Sequence, residues 1–336
     1  MNERRQQLIH WLSNLGYPSD GLAPASEDAS FRRYYRVLRP GGGSCIVMDA
    51  PPDKEPLTAF VDIDCRLRAA GLSAPEILAH DDRLGFLLME DFGGTHYLDV
   101  LDADNAPELY GDALEAILRM QSDVDTDGLP PYDESLLRTE MALFRDWFLE
   151  RLLGIELTPN QVGAWKLTVD ELVRNALQQP RAFVHRDCHS RNLMYLKPMA
   201  GERRNPGILD FQDAVIGPIT YDLVSLLRDC YIAWPEAQVD DWVRDFHAAA
   251  RPAGIDAERF LRDFDLMGAQ RHLKAIGIFA RLHLRDGKDG YLKDIPRTLE
   301  YLKIVATRQG LTGLFSLINE LSLGFRIRQV TGAAAS

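Results

Sequence analysis

Cationic side chains are in the minority: 38 Lys and Arg stand against 50 Asp and Glu, a net charge of −12. Nucleic acids attract proteins with clustered Lys and Arg, so this balance argues against a polynucleotide partner. Cysteine is scarce too. Cys45, Cys65, Cys188 and Cys230 show no Cys-x-x-Cys spacing, which removes a disulfide framework and a zinc ribbon. No stretch approaches the roughly 18 apolar residues of a membrane span. The opening Met-Asn-Glu-Arg-Arg-Gln-Gln lacks the apolar core of a signal peptide. The expectation is a cytoplasmic protein with reduced thiols and no membrane attachment, and nothing in the sequence implies a protein partner.

What is present is an ordinary globular composition, 46% hydrophobic and 26% charged, over 336 residues. That length exceeds the usual single core and predicts two lobes. Leu8, Trp11, Leu12 and Leu15 mark an amphipathic helix over 2–15 that stops at Gly16. Residues 34–38 and 45–48 read as a hairpin around Arg39-Pro40-Gly41-Gly42-Gly43-Ser44. The triple glycine is read as a turn, because phosphate-cradling loops open onto a helix and none follows here. A helix over 56–70 and strands at 77–79 and 86–89 complete a sheet-bearing lobe, 1–92, expected to bind nucleotide. Residues 98–177 and 222–302 carry helical periodicity, broken at 126–131, 234–235 and 251–254. The second lobe, 93–336, is therefore mainly helical, giving an α+β class with a small sheet-bearing lobe before a larger helical one.

Two ordered motifs carry the chemistry. Phe-Val-His-Arg-Asp-Cys-His-Ser-Arg-Asn, 183–192, sets Asp187 and Asn192 five apart, the spacing of the His-Arg-Asp-x-x-x-x-Asn catalytic loop of kinases. Phosphoryl transfer needs a carboxylate beside the attacking hydroxyl and oxygen donors for Mg2+ on the nucleotide phosphates. Asp187 suits the first role, and Asn192 with Asp210 of Gly-Ile-Leu-Asp-Phe-Gln-Asp, 207–213, the second. Asp91-Phe92-Gly93 spells the kinase metal motif literally but precedes the catalytic loop, where kinases place the hinge. Glu90, Phe92 and their backbone are therefore expected to meet the adenine. His185 and His189 lack the Glu that a helical zinc pair requires, so His185 is read as packed and structural, and zinc is set aside. His189 and Arg191, just after Asp187, are candidates for phosphate or sugar contact.

The small lobe departs from protein kinases. The strand expected to carry a phosphate-binding Lys reads Cys-Ile-Val-Met-Asp-Ala, 45–50, and no Gly-x-Gly-x-x-Gly precedes it. Ser30, Phe31, Arg32 and Arg33 are the substitutes, with Arg guanidinium groups able to take phosphate oxygens bidentately; Lys54 is weaker. Asp222 reads as a cap or brace. Gln270, Arg271, Lys274, Arg281 and Arg285 form a charge series on a predicted helix, a pattern that is usually a solvated face.

Together these segments resemble the kinase-like fold of the aminoglycoside phosphotransferase and choline kinase group, over nearly the whole chain. Within it, ASFRRYYRV (29–37), CIVMDAPPDKE (45–55), GFLLMEDFGG (85–94), FVHRDCHSRNLMY (183–195), ILDFQDAVIGPITYDLVSLLRD (208–229) and QRHLKAIGIFARLHLRDGK (270–288) are similar to the anomeric amino-sugar kinases of bacterial cell-wall recycling. The resemblance implies ATP as donor, with the 1-hydroxyl of N-acetylmuramate and N-acetylglucosamine as acceptor. It implies that Asp213 faces the acceptor or braces the loop. The lactyl carboxylate of N-acetylmuramate favours a nearby cation, for which Arg191, Lys274 and Arg281 stay open. The residues alone leave room for another alcohol, such as an aminoglycoside or choline-like substrate, and for a nucleotide-binding pseudokinase.

Overall fold

The computed structural model describes residues 3–18, 22–27, 31–197 and 205–332. In chain order its elements are α1 (Glu3–Asn14), β1 (Ala23–Glu27), β2 (Arg33–Leu38), β3 (Ser44–Asp49), α2 (Thr58–Ala69), β4 (Ile77–Asp81), β5 (Phe86–Glu90), α3 (Tyr97–Val100) and α4 (Ala106–Asp123). Next come α5 (Glu134–Leu143), a wider π-helical stretch (Phe144–Leu152), α6 (Pro159–Gln178), β6 (Arg181–Val184), β7 (Leu193–Met194), β8 (Gly207–Ile208) and β9 (Val215–Pro218). The rest is helical: α7 (Tyr221–Leu227), α8 (Glu236–Ala250), α9 (Ala257–Asp286), α10 (Ile295–Arg308), α11 (Thr312–Glu320) and α12 (Leu323–Thr331). Strands gathered early and helices after them bear out the α+β expectation.

The chain forms two compact units. One comprises Met1–Ala116 with Arg191–Asp213, the other Ile117–Ser190 with Ala214–Ser336. The first is built on an antiparallel sheet of order β1-β2-β3-β5-β4. Leu8 and Leu12 of α1 join Leu22, Val37, Cys45, Val47, Phe86 and Leu88 in one buried cluster. Burying such a side chain contributes about 1.5–3 kcal/mol each, which is why the helix periodicity and the strand alternation agree about the core. The three glycines between β2 and β3 all take positive φ and end in a hydrogen bond from Arg39 N to Gly43 O at 3.0 Å. They make a turn, as expected.

The sequence pattern did not reveal β1. Ala-Pro-Ala-Ser-Glu has no apolar alternation, and only an edge strand, where one row of backbone groups is left unpaired by the sheet, tolerates its proline. The terminal helices α11 and α12 also lie beyond the helical run read from periodicity.

The second unit is organised around α9, thirty residues long. Its ends are encoded locally: Asp256 caps Arg259 N at 2.8 Å, and Gly287 closes the helix at φ 64°. Thr158, Pro159 and Gln161 form a capping box that starts α6 in the same way. From Asp263 to Lys274 every side chain of α9 is buried, because α5, α6, α7, α10 and the π-helical stretch surround it. The charge series at 270–274 is therefore an interior one, contrary to the solvated face expected from sequence; of the five, Arg285 alone is exposed.

Candidate active site

In the second unit, β6 delivers the chain into the catalytic-loop motif. Asp222, buried at the start of α7, accepts His185 N at 2.7 Å and Arg186 N at 3.0 Å. It braces the loop backbone, as read from sequence, and burial raises its carboxyl against the pull of His185. Arg186 sits at φ 77°, a left-handed conformation that costs a non-glycine residue about 1–3 kcal/mol and is sustained by these two bonds. At the far end of the loop Asp229 accepts Ser190 N at 2.9 Å and Ser190 Oγ at 2.5 Å. His185 is fully buried and accepts Asp187 N through Nδ1 at 3.3 Å, consistent with a packed structural role.

Around Asp187 the interior is charged. Glu140 of α5 takes Arg186 Nη2 at 2.5 Å, Lys274 Nζ at 3.2 Å and Gln270 Nε2 at 3.3 Å, and it accepts the Tyr132 hydroxyl. Lys274 also donates to the Tyr221 hydroxyl at 3.0 Å. Burial raises the Asp187 carboxyl, but Lys274 first, then His189 once it is protonated in acid, Arg271 and Arg186 outweigh it and hold the group at about 2. Asp187 is thus an anion throughout the physiological range. Burial takes His189 down to about 4, against Asp229 and Asp187, leaving a neutral imidazole. Cys188 is pushed well up by burial, which makes it an inert thiol.

The first unit holds the remaining candidates. Asn192 Nδ2 donates to Asp210 Oδ2 at 3.3 Å, and Gln212 Nε2 to Asp210 Oδ1 at 2.8 Å. Asp210, at φ 61°, is the second left-handed non-glycine in the motif region. A carboxylate and an amide oxygen held together are hard donors, a set that suits Mg2+, which keeps several waters and needs only one or two protein groups. Arg32 pairs with Glu55 at 2.8 Å and lies 4.0 Å from Asp210. Phe31 is exposed, with the Lys54 ammonium 4.1 Å from its ring centre. Arg33 is exposed at the start of β2, and Ser30 lies outside the described residues. Glu90 N donates to Glu76 O at 2.9 Å, so an adenine donor would come from the residues after it. Phe92 packs on Gly207, where even a methyl group would come within 2.7 Å of its ring.

The motif residues thus fall into two groups, Asp187, His189 and Lys274 in one and Asn192, Asp210 and Arg32 in the other. Asp213 is exposed and adds its charge near Arg32, Arg191 is half-buried, and the electrostatic neighbours of Arg281 are Arg285 and Asp286 on its own helix. Asp91, of the literal metal motif that stands before the catalytic loop, has a structural part: it accepts Arg36 Nε at 2.5 Å, Ser44 Oγ at 2.6 Å and Gly93 N at 2.9 Å. Sequence reading passed over Glu140, Tyr132, Tyr221 and Asp229. Glu140 and Tyr132 belong to no motif, and the packing of α5 and α7 against α9 brings Glu140 and Tyr221 to Lys274.

Comparison with known proteins bears on the family and the fold. The sequence profile of the phosphotransferase enzyme family matches residues 21–262. An N-acetylmuramate/N-acetylglucosamine kinase of Pseudomonas aeruginosa is 50% identical over 96% of this chain and 98% of its own length. One from Neisseria meningitidis is 40% identical over 95% and 96%. Among solved structures, ADP-bound aminoglycoside phosphotransferase APH(2'')-Ib aligns over 91% of this chain and 99% of its own, at a TM-score of 0.59 and 14% identity. A Plasmodium vivax ethanolamine kinase aligns over 91% and 92%, at 0.62 and 12%. Likeness at that distance is one of fold, the kinase-like fold anticipated from the motifs. With its profile match and its full-length relatives, the chain belongs to the phosphotransferase enzyme family.

Proposed function

We propose that this protein uses ATP to phosphorylate the anomeric hydroxyl of N-acetylmuramate and N-acetylglucosamine, as a cytoplasmic step of peptidoglycan recycling. The observation that carries the substrate is the full-length similarity to relatives named for these two sugars. Asp187 orients the acceptor hydroxyl and takes its proton; a hemiacetal hydroxyl is more acidic than an ordinary alcohol, so a carboxylate held at about 2 works mainly by positioning. Asn192 and Asp210 would hold Mg2+, which when bound offsets the charge of the phosphates. Ser30, Phe31, Arg32, Arg33, Glu90 and Phe92 are assigned to the nucleotide. His189, Arg191, Asp213, Lys274 and Arg281 are assigned to the sugar.

A cationic acceptor of the aminoglycoside or choline kind fits less well. Such a substrate calls for unmatched carboxylates, whereas Glu140 is matched by Arg186 and Lys274 and Asp187 lies among the cations Lys274, Arg271 and Arg186. The test is incubation with Mg2+, ATP and a panel of N-acetylmuramate, N-acetylglucosamine, kanamycin and choline, with products identified by mass. Phosphorylation of the two amino sugars, and none of their methyl glycosides, is expected. A phosphorylated methyl glycoside would exclude the anomeric oxygen, and turnover of kanamycin or choline alone would replace the substrate class.

A further inference from the structure

Most buried cations of the second unit have a carboxylate against them. Arg186 meets Glu140 at 2.5 Å, Lys274 meets Glu140 at 3.2 Å, and Arg228 meets Asp265 at 2.8 Å. Arg271 does not. Only 5% of it is exposed, its Nε has no hydrogen-bond partner among the described residues, and its Nη1 reaches nothing more polar than the Cys230 sulfur at 3.9 Å. A guanidinium donor left buried and unsatisfied is a standing cost to the fold, so the position asks for an anion.

The surroundings show what kind of anion. Arg271 is three residues before Lys274 on the same face of α9, and close enough to Asp187 for its charge to help keep that carboxylate ionised. A second buried polar group lies within electrostatic reach of Arg271: His189 is 9% exposed and its Nδ1 has no partner among the described residues. The nearby acid, Asp229, is engaged with Ser190 N, Ser190 Oγ and Tyr231 N. From His189 an aromatic row runs outward, with ring centres 5.2 Å to Tyr231, 6.3 Å on to Phe279 and 5.5 Å on to Tyr291. Such faces suit the apolar side of a pyranose ring.

We infer that Arg271, with His189, forms the subsite for a carboxylate substituent of the acceptor, bounded by the ring of Tyr231, and so sets how the protein divides its turnover between acidic and neutral amino sugars. This rests on the amino-sugar kinase reading above. It replaces Lys274 as the partner of the lactyl group, since Lys274 is already shared between Glu140 and Tyr221, and it sets aside Arg281, whose neighbours are its own helix's Arg285 and Asp286.

Two measurements test it. In the unaltered protein, converting the carboxylate of N-acetylmuramate to its carboxamide should raise KM at least about 10-fold, the loss expected for one charge-assisted hydrogen bond; an unchanged KM overturns the subsite. In Arg271→Gln, the ratio of kcat/KM for N-acetylmuramate over N-acetylglucosamine should fall at least about 10-fold, with Arg271→Lys recovering most of it. Loss of both substrates in equal proportion would make Arg271 a structural residue and overturn the assignment. Turnover of neither sugar by the unaltered protein removes the substrate reading itself, and the subsite with it.

Discussion

At Asp187 the decisive quantity is the balance between burial, which disfavours its charge, and the basic groups around it, Lys274 first, that favour it. The second wins, and the carboxyl sits at about 2. Asp187→Asn is expected to fold and bind nucleotide while kcat falls by about 10² to 10⁴, the usual contribution of a positioned base; near-normal turnover would remove the role. The same value fixes a pH dependence. A carboxyl depressed in the folded state keeps its stabilising contribution above its unfolded value, near 4, and loses it as pH falls toward 2. Turnover should therefore show no acid limb from Asp187 between pH 5 and 8, and a pH–rate profile with an essential base titrating near 6 would point to another residue. The motif spacing made this residue legible in the sequence. The depth of the shift was not legible, because Lys274 and Arg271 reach the site from a helix more than eighty residues away in the chain.

At the level of elements, α2 and α9 each carry a feature that packing alone explains. Asp64 is only 1% exposed on the face of α2 that buries Phe60, Ile63 and Leu67, and its Oδ1 has no partner among the described residues. Burial raises it to about 7, with Arg68 opposing and Glu76 adding to the rise. A carboxyl raised on folding contributes most below its unfolded value and costs stability as pH climbs through 7. Asp64→Asn should accordingly stabilise the protein at pH 8, by about 2 kcal/mol, and much less at pH 5, as read from denaturant midpoints at the two pH values. On α9, a methyl group at Gly277 would come within 2.4 Å of the Leu143 backbone. Alanine there would gain about 1 kcal/mol of helix propensity but force two packed helices apart. The steric term is the larger, so Gly277→Ala should destabilise by about 1–3 kcal/mol; a stabilised variant would show that α5 yields easily. Strands and helices with clear periodicity, such as β2, β3, α1 and α2, were readable from sequence. The edge strand β1 and the buried charges at 270–274 were not, since hydropathy patterns record the average environment of a residue type and these residues have exceptional ones.

For the molecule as a whole, the net charge of −12 sets a problem that the proposed reaction must solve. ATP is a polyanion, and an acidic chain repels it unless local cations or metal reverse the field. Two cations of the first unit are already engaged: Arg32 is matched by Glu55 and stands 4.0 Å from Asp210, and Arg36 is held by Asp91. The strand that would carry a phosphate-binding lysine carries none. In the proposed reaction a divalent metal would then be the principal counter-charge, and nucleotide binding should depend on it more steeply than in a protein with a dedicated lysine. Thermal unfolding measures this directly, because a ligand that binds only the folded state stabilises it by RT ln(1 + [L]/Kd), about 2.7 kcal/mol at a hundred times Kd. ATP with EDTA should leave the midpoint unmoved, ATP with Mg2+ should raise it, and Asp210→Ala should lose that rise while keeping the unliganded midpoint close to that of the parent. A full shift in EDTA would mean that Arg32 and Arg33 hold the phosphates unaided, and the assignment of Asn192 and Asp210 to metal would fail with it.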